Sequence, residues 1–186
     1  MPTIYTIGHS TRPLAELAEM LTDAGVTCLA DVRGIPRSRT NPQFNVDSLL
    51  QALAGSGIGY RHLPILGGRR SAQKAVPPER NALWRNAAFH NYADYALSEA
   101  FRTGLDELQT LARTHCTAMM CAEAVWWRCH RRLIADYLLV RGWEVIHLLA
   151  PGKRAPASLT PGGVPQDDGT VAYPAAALQR PLLGEL

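Results

Sequence analysis

The chain has 186 residues, of which 47% are hydrophobic and 19% charged. That length buries a proper core and suits one globular domain, and the composition excludes a wholly disordered chain. No apolar run is long enough to span a bilayer, and a formal net charge of +3 does not by itself point to a polyanion partner.

In chain order, residues 3–7 alternate and are rich in β-formers, which predicts a first strand. Pro13 opens a helix whose stripe is Leu14, Leu17, Ala18 and Leu21, and Gly25 ends it. Residues 27–33 read as strand two, and residues 34–44 as a loop with two prolines. Val46, Leu49, Leu50 and Leu53 mark a second helix, and residues 58–63 a short third strand. Residues 64–80 form a long Gly-, Arg- and Pro-bearing loop of the kind that is usually functional or mobile. Residues 90–113 look helical, in one or two pieces. Strand four is expected at 117–122, a helix at 128–141 and strand five at 143–149. Strands separated by helices imply βαβ units. The expected fold is therefore α/β, with a mostly parallel, Rossmann-like sheet of about five strands and helices on both faces. Residues 1–150 make one α/β domain. Residues 151–186 are a Pro/Gly/Ala-rich extension in which 168–174 read as one short strand.

The first ten residues show no basic segment followed by a long apolar one, so the expected location is cytoplasmic, with no membrane contact. In that compartment Cys28, Cys116, Cys121 and Cys129 are expected as free thiols. Of the 19 basic residues only Lys74 and Lys153 are lysine. Arginine codon usage in a GC-rich genome accounts for such an excess, but not for where the arginines sit.

In open parallel sheets, ligands bind beyond the carboxyl ends of the strands. Here those ends carry Gly8-His9-Ser10, then Asp31 and Arg33 with Arg37 and Arg39 beyond, then His62 with Gly67-Gly68-Arg69-Arg70. After strand four come Glu123, Arg128, Cys129, His130 and Arg131. Gly8-His9-Ser10 could cradle an anion at a helix start, but it is neither G-x-G-x-x-G nor a P-loop. Asp31 and Arg33 share a strand face and can pair with each other. Arg33, Arg37 and Arg39 have the chemistry of a phosphate or carboxylate clamp.

The stretch 121–132, CAEAVWWRCHRR, runs from a strand end into a helix start. The spacing C-x4-C-x7-C-H from Cys116 to His130 matches no common zinc finger. Cys116 and Cys121 are also an odd number of positions apart, which puts them on opposite faces of the sheet. No metal and no cofactor are expected. Cys129 at a helix start beside Arg128 and Arg131 reads equally as a nucleophile of lowered pKa and as a small buried residue. Trp126 and Trp127 read as a stacking surface or as a core lid.

Taken together, TIGHS, DVRGIPRSR…F, YRHLPILGG, YADY and C-A-E-x5-C-H-R followed by GWEVIHL resemble the bacterial and archaeal "domain of unknown function 488" family, over about residues 3–150. The resemblance implies an α/β domain and signature positions that include His9, Ser10, Asp31, Arg33, His62, Gly68, Cys121, Glu123, Cys129, His130, Arg131 and His147. It implies no established reaction. Ala124-Val125-Trp126 stand where many members have Lys-Asp-Pro, so a role of that lysine and aspartate does not carry over.

The expected function is an enzyme binding a small anionic, phosphorylated or nucleotide-like substrate. His9, Glu123, Cys129 and His130 are its candidate catalytic groups. Ser10, Asp31, Arg33, Arg37, Arg39, His62, Arg128 and Arg131 are its candidate ligand-binding groups. A nucleic-acid-binding module and a non-catalytic interaction or redox-sensor protein are the alternatives, and self-association is left open.

Overall fold

The computed structural model describes residues 1–175. Strands β1 (Thr3–Gly8), β2 (Cys28–Asp31), β3 (Gly59–His62), β4 (Thr117–Cys121) and β5 (Glu144–Ala150) are joined by β6 (Lys153–Pro156) in one sheet of order β3-β2-β4-β1-β5-β6. The first five run parallel; β6 returns antiparallel against β5. The expected α/β sheet is therefore present. It gains a sixth strand at the start of the extension, ahead of the one expected at 168–174, because Gly152 adopts φ 67° and lets the chain reverse within two residues of β5.

Period-two alternation divides the sheet residues between two cores. Ile7, Leu29, Ala118, Met120 and Leu148 face helices α1 (Leu14–Asp23) and α2 (Val46–Gly55). Ile4, Ala30, Met119, Cys121 and Val145 face α3 (Ala87–Tyr95), α4 (Glu99–Thr114) and α5 (Arg131–Val140). The helical stretch expected at 90–113 is two helices, because Ser98 caps a new start: its side chain accepts from the Phe101 N–H. The last helix begins at Arg131 rather than 128, after a short 3-10 turn at Trp126–Arg128.

The chain leaves β1 and β2 for the α1/α2 face and leaves β4 for the opposite face, where α5 packs. The end of β4, flanked by β1 and β2, is thus a topological switch point, where the connections part to opposite faces of the sheet. The strands stop level with one another there: Gly8 pairs with Cys121, and Asp31 pairs with both Met120 and His62.

The extension continues over the α3/α5 face, with a two-stranded ribbon, β7 (Val164–Pro165) and β8 (Val171–Ala172). Its Tyr173 is fully buried and donates to Asp136 Oδ2 at 2.8 Å, while Thr160 N–H donates to Asp136 Oδ1 at 2.8 Å. No helix among the described residues is long and apolar enough to cross a membrane.

Candidate functional site at the carboxyl edge

The site has two halves, one on each side of the β4 terminus. The first is built from β2. Asp31 is fully buried and takes a bidentate pair from Arg33, Nε to Oδ1 at 2.8 Å and Nη2 to Oδ2 at 2.6 Å, as well as the Tyr60 hydroxyl at 2.8 Å. Arg33 also donates from Nη2 to the Phe44 carbonyl at 3.0 Å and from Nη1 to His9 Nε2 at 3.2 Å, so four of its five N–H groups are used. Since Arg33 can only donate, His9 Nε2 is the acceptor, and the ring proton lies on Nδ1, which donates to the Ser10 carbonyl at 2.9 Å. The ring stacks on Phe44 at 4.2 Å. Burial pulls the His9 imidazole down to about 4; the bond to the Ser10 carbonyl opposes this and the Arg33 charge adds to it.

This half corrects the expectation of an open clamp. Asp31, Arg33 and His9 are consumed by one another, and His9 has no ring nitrogen left to carry a substrate's proton. His62 is likewise engaged, donating from Nε2 to the Arg33 carbonyl at 2.8 Å. Ser10 holds the turn: it is the single non-glycine residue with positive φ, 47°, among those described, and its N–H donates to the Ala122 carbonyl.

The second half is built from β4 and the entry to α5. Arg131 is 1% exposed. Its Nη2 donates to the Glu123 carbonyl at 2.6 Å, Nη1 to Thr6 Oγ1 at 3.4 Å and Nε to Cys129 Sγ at 3.3 Å. Gly8 makes room for this, since a Cβ there would stand 2.0 Å from the Glu123 carbonyl oxygen and 2.9 Å from Arg131 Nη2. No carboxylate pairs with Arg131 among the described residues. A buried cation needs an anion, and the acidic group in contact with it is the Cys129 thiol. Burial alone would raise that thiol's pKa, but hydrogen bonding from the Cys121 thiol, His130 and Arg131 hold it well below the ordinary value. The same hydrogen bond, with burial, pushes Cys121 well above it. The two thiols are thus pushed in opposite directions, with Cys129 the more acidic of the pair.

His130 completes the cluster. Its Nε2–H donates to the Val32 carbonyl at 3.2 Å, which turns Nδ1 toward Cys129 Sγ at 3.6 Å and Cys121 Sγ at 3.8 Å. Tyr92 packs against the ring at 5.1 Å, and the backbone of Gly68 lies so close that a Cβ would fall 2.5 Å from Nδ1. All four cysteines are free thiols. The parity argument separates Cys116, which packs on the α1/α2 side, from Cys121 on the α5 side. What the spacing concealed is that Cys121 and Cys129-His130 meet, because α5 folds back onto the face that β4 has just left.

The remaining expected residues are exposed. Glu123 contributes only its carbonyl to the buried network. Arg128 and Arg39 face solvent, and Arg37 stands 3.8 Å from the exposed Asp47. Trp126 is committed to stacking on His147, at 4.3 Å and 9°, so Trp127, 49% exposed, is the tryptophan open to solvent. His147, a signature position by the resemblance, is not among the expected site residues. It is tied to Arg131 through Thr6, with Nδ1 at 2.8 Å from Thr6 Oγ1, and burial holds its imidazole at about 4. The signal available in the sequence was parity: Thr6 and His147 stand opposite each other on neighbouring strands. Two surface cavities, of about 530 and 340 Å³, lie along α1 against α2 and beside Met1 and Trp143; none of the expected site residues lines either.

No curated protein and no solved structure is a significant match to this chain. A family model does match, over residues 13–138, about two thirds of the length and including most of the motif residues above. The chain belongs to the family described as "Domain of unknown function DUF488".

Proposed function

We propose that the protein is an enzyme whose substrate, a small phosphorylated or nucleotide-like molecule, is held over the end of β4 against the Cys121–Cys129–His130 cluster. The observation that carries this reading is the Arg131–Cys129 contact, Nε to Sγ at 3.3 Å: a guanidinium buried at the switch point that meets a thiol group and, among the described residues, no carboxylate. A structural ion pair has no need of a thiolate, which is the more reactive partner. The exposed Arg128, Arg37 and Arg39 gather the anion, and Glu123, exposed on the loop after β4, carries protons to and from it. The buried Asp31–Arg33–His9 network is the rigid floor that sets the level of that loop.

The test is a melting-temperature screen of the full chain against inorganic phosphate and mononucleotides. A ligand at a hundred times its Kd stabilises by about 2.7 kcal/mol, a shift of roughly 5–10 °C at this size. The reading expects such a shift in the wild type and a smaller one in Arg128→Ala. The absence of any shift across the panel, with or without added divalent cation, removes it.

A further inference from the structure

The geometry points to a binding site for one thiophilic divalent cation, zinc being the best chemical fit, formed by Cys121 Sγ, Cys129 Sγ and His130 Nδ1 with the fourth position open. The three donor atoms lie within 4.8 Å of one another. In a tetrahedral site with metal–sulfur bonds of about 2.3 Å and metal–nitrogen bonds of about 2.0–2.1 Å, neighbouring sulfur and nitrogen ligands are separated by about 3.6 Å. Here the His130 Nδ1 to sulfur separations are 3.6 and 3.8 Å.

Two further features are those of a ligand set rather than a chance meeting of thiols. The His130 ring is fixed through its far nitrogen by the Val32 carbonyl, which aims Nδ1 at the sulfurs. Cys129 Sγ accepts the Arg131 Nε–H at 3.3 Å, a bond that supports a metal-bound thiolate as well as a free one. Thiolate and imidazole together select zinc-like ions over magnesium or calcium.

No fourth Cys, His, Asp or Glu donor joins the group among the described residues. Structural zinc sites are closed by four protein ligands, whereas catalytic ones keep a position for water or substrate. Uptake of the ion displaces the Cys121 thiol proton to solvent and involves no redox change. Two thiolates then balance the dication, and Arg131 is left with an uncompensated positive charge. The loaded centre therefore favours an anion at the open position.

That last step rests on the proposed function, and it changes the role of Cys129 from attacking group to ligand. At 2% exposure the sulfur is poorly placed to reach a substrate itself.

The test uses the full chain, stripped with chelator and titrated with Co²⁺ or Zn²⁺ alone. The expected result is one equivalent bound, with a thiolate-to-cobalt charge-transfer band and the strong visible bands of a tetrahedral ion. The band is expected to vanish in Cys121→Ser and in Cys129→Ser and to persist in Cys28→Ser and Cys116→Ser. Gly68→Ala, which presses on the His130 ring, is expected to weaken binding by about 10- to 100-fold. Variants that fail to fold do not stall the test, because X-ray absorption of the zinc-loaded wild type is expected to show two sulfur neighbours and a histidine nitrogen. A wild type without a thiolate band, a zinc shell lacking sulfur, or a band that survives in the Cys121→Ser/Cys129→Ser double variant overturns the site. If the ion fails to bind while phosphate or a mononucleotide still raises the melting temperature, the proposed function stands without it. If the ion binds and no anion does, the metal site stands and the proposed function falls.

Discussion

The two halves of the carboxyl edge use the same vocabulary, an arginine, a histidine and an acid, and finish it differently. In the β2 half the acid is a carboxylate, Asp31, and nearly every donor and acceptor is answered from within: Arg33, Tyr60, the Phe44 carbonyl and His9 form a closed network. In the β4 half the acid is a thiol. Arg131 spends its hydrogen bonds on a carbonyl, a hydroxyl and a sulfur, and His130 turns Nδ1 toward two sulfurs. A closed network holds geometry; an unfinished one has something left to bind. The difference teaches that charge and burial alone do not tell a closed network from an open one, since Arg33 and Arg131 share both. What separates them is unspent valence.

The largest effect expected is on the closed half. Asp31→Ala leaves the Arg33 guanidinium buried without its anion, at a cost of about 3–5 kcal/mol, read as a lower urea midpoint at unchanged slope. A loss within about 0.5 kcal/mol would mean that Arg33 reaches solvent, and the distinction between the halves would fail.

Acid should expose both halves next. His9 and His147 are each held at about 4 in the folded protein, against about 6.5 in the unfolded chain. Between those values the unfolded chain binds more protons. Stability is therefore complete above about pH 6.5 and falls as pH drops toward 4, by on the order of 3 kcal/mol per histidine. Melting temperature measured against pH checks this. Replacing His9 by Gln should remove its share of the slope and leave that of His147.

Much of the frame was legible beforehand, because alternation and helical stripes report which face each residue turns to the core. That logic located β1 to β5 and all the helical regions, and it set Cys116 apart from Cys121. It also gathered His9, Arg33, Glu123 and Arg131 at one edge. It could not say which of them were already spent, because hydrogen-bond partners such as the Phe44 carbonyl and Tyr60 come from loops and strands distant in the chain. Nor could it show that Cys121 meets Cys129-His130, since spacing along a loop does not reveal where the loop returns. β6 went unseen because Lys153–Pro156 has neither alternation nor length, and is a strand only through pairing with β5.

A double-mutant cycle sharpens the contrast at the sulfur. Arg131→Met alone strands the Cys129 thiolate, which then takes up a proton; Cys129→Ala alone strands the guanidinium. Removing both leaves neither charge unpaired, so the double variant should cost less than the sum of the singles by about 0.5–3 kcal/mol. Thiolate ultraviolet absorbance should titrate at higher pH in Arg131→Met. Additive costs would show that the contact is packing and not an ion pair.

The smallest stability effect belongs to the rim. Arg37, Arg39 and Arg128 are exposed, and the one ion pair they make among the described residues, Arg37 with Asp47 at 3.8 Å, joins side chains 66% and 81% exposed. Such a pair is worth at most about 1 kcal/mol, and alanine at each position should move the urea midpoint by no more than about 0.5 kcal/mol. Ligand binding is where these residues should register, because a guanidinium that gives the fold nothing remains free to meet an anion. The contrast with Arg33 is then complete: the buried arginine fails in stability when altered, and the exposed ones fail only in the phosphate- and nucleotide-induced melting shift. If the triple alanine variant keeps the full wild-type shift, the anion is held elsewhere on the edge, where Arg69 is a further exposed guanidinium.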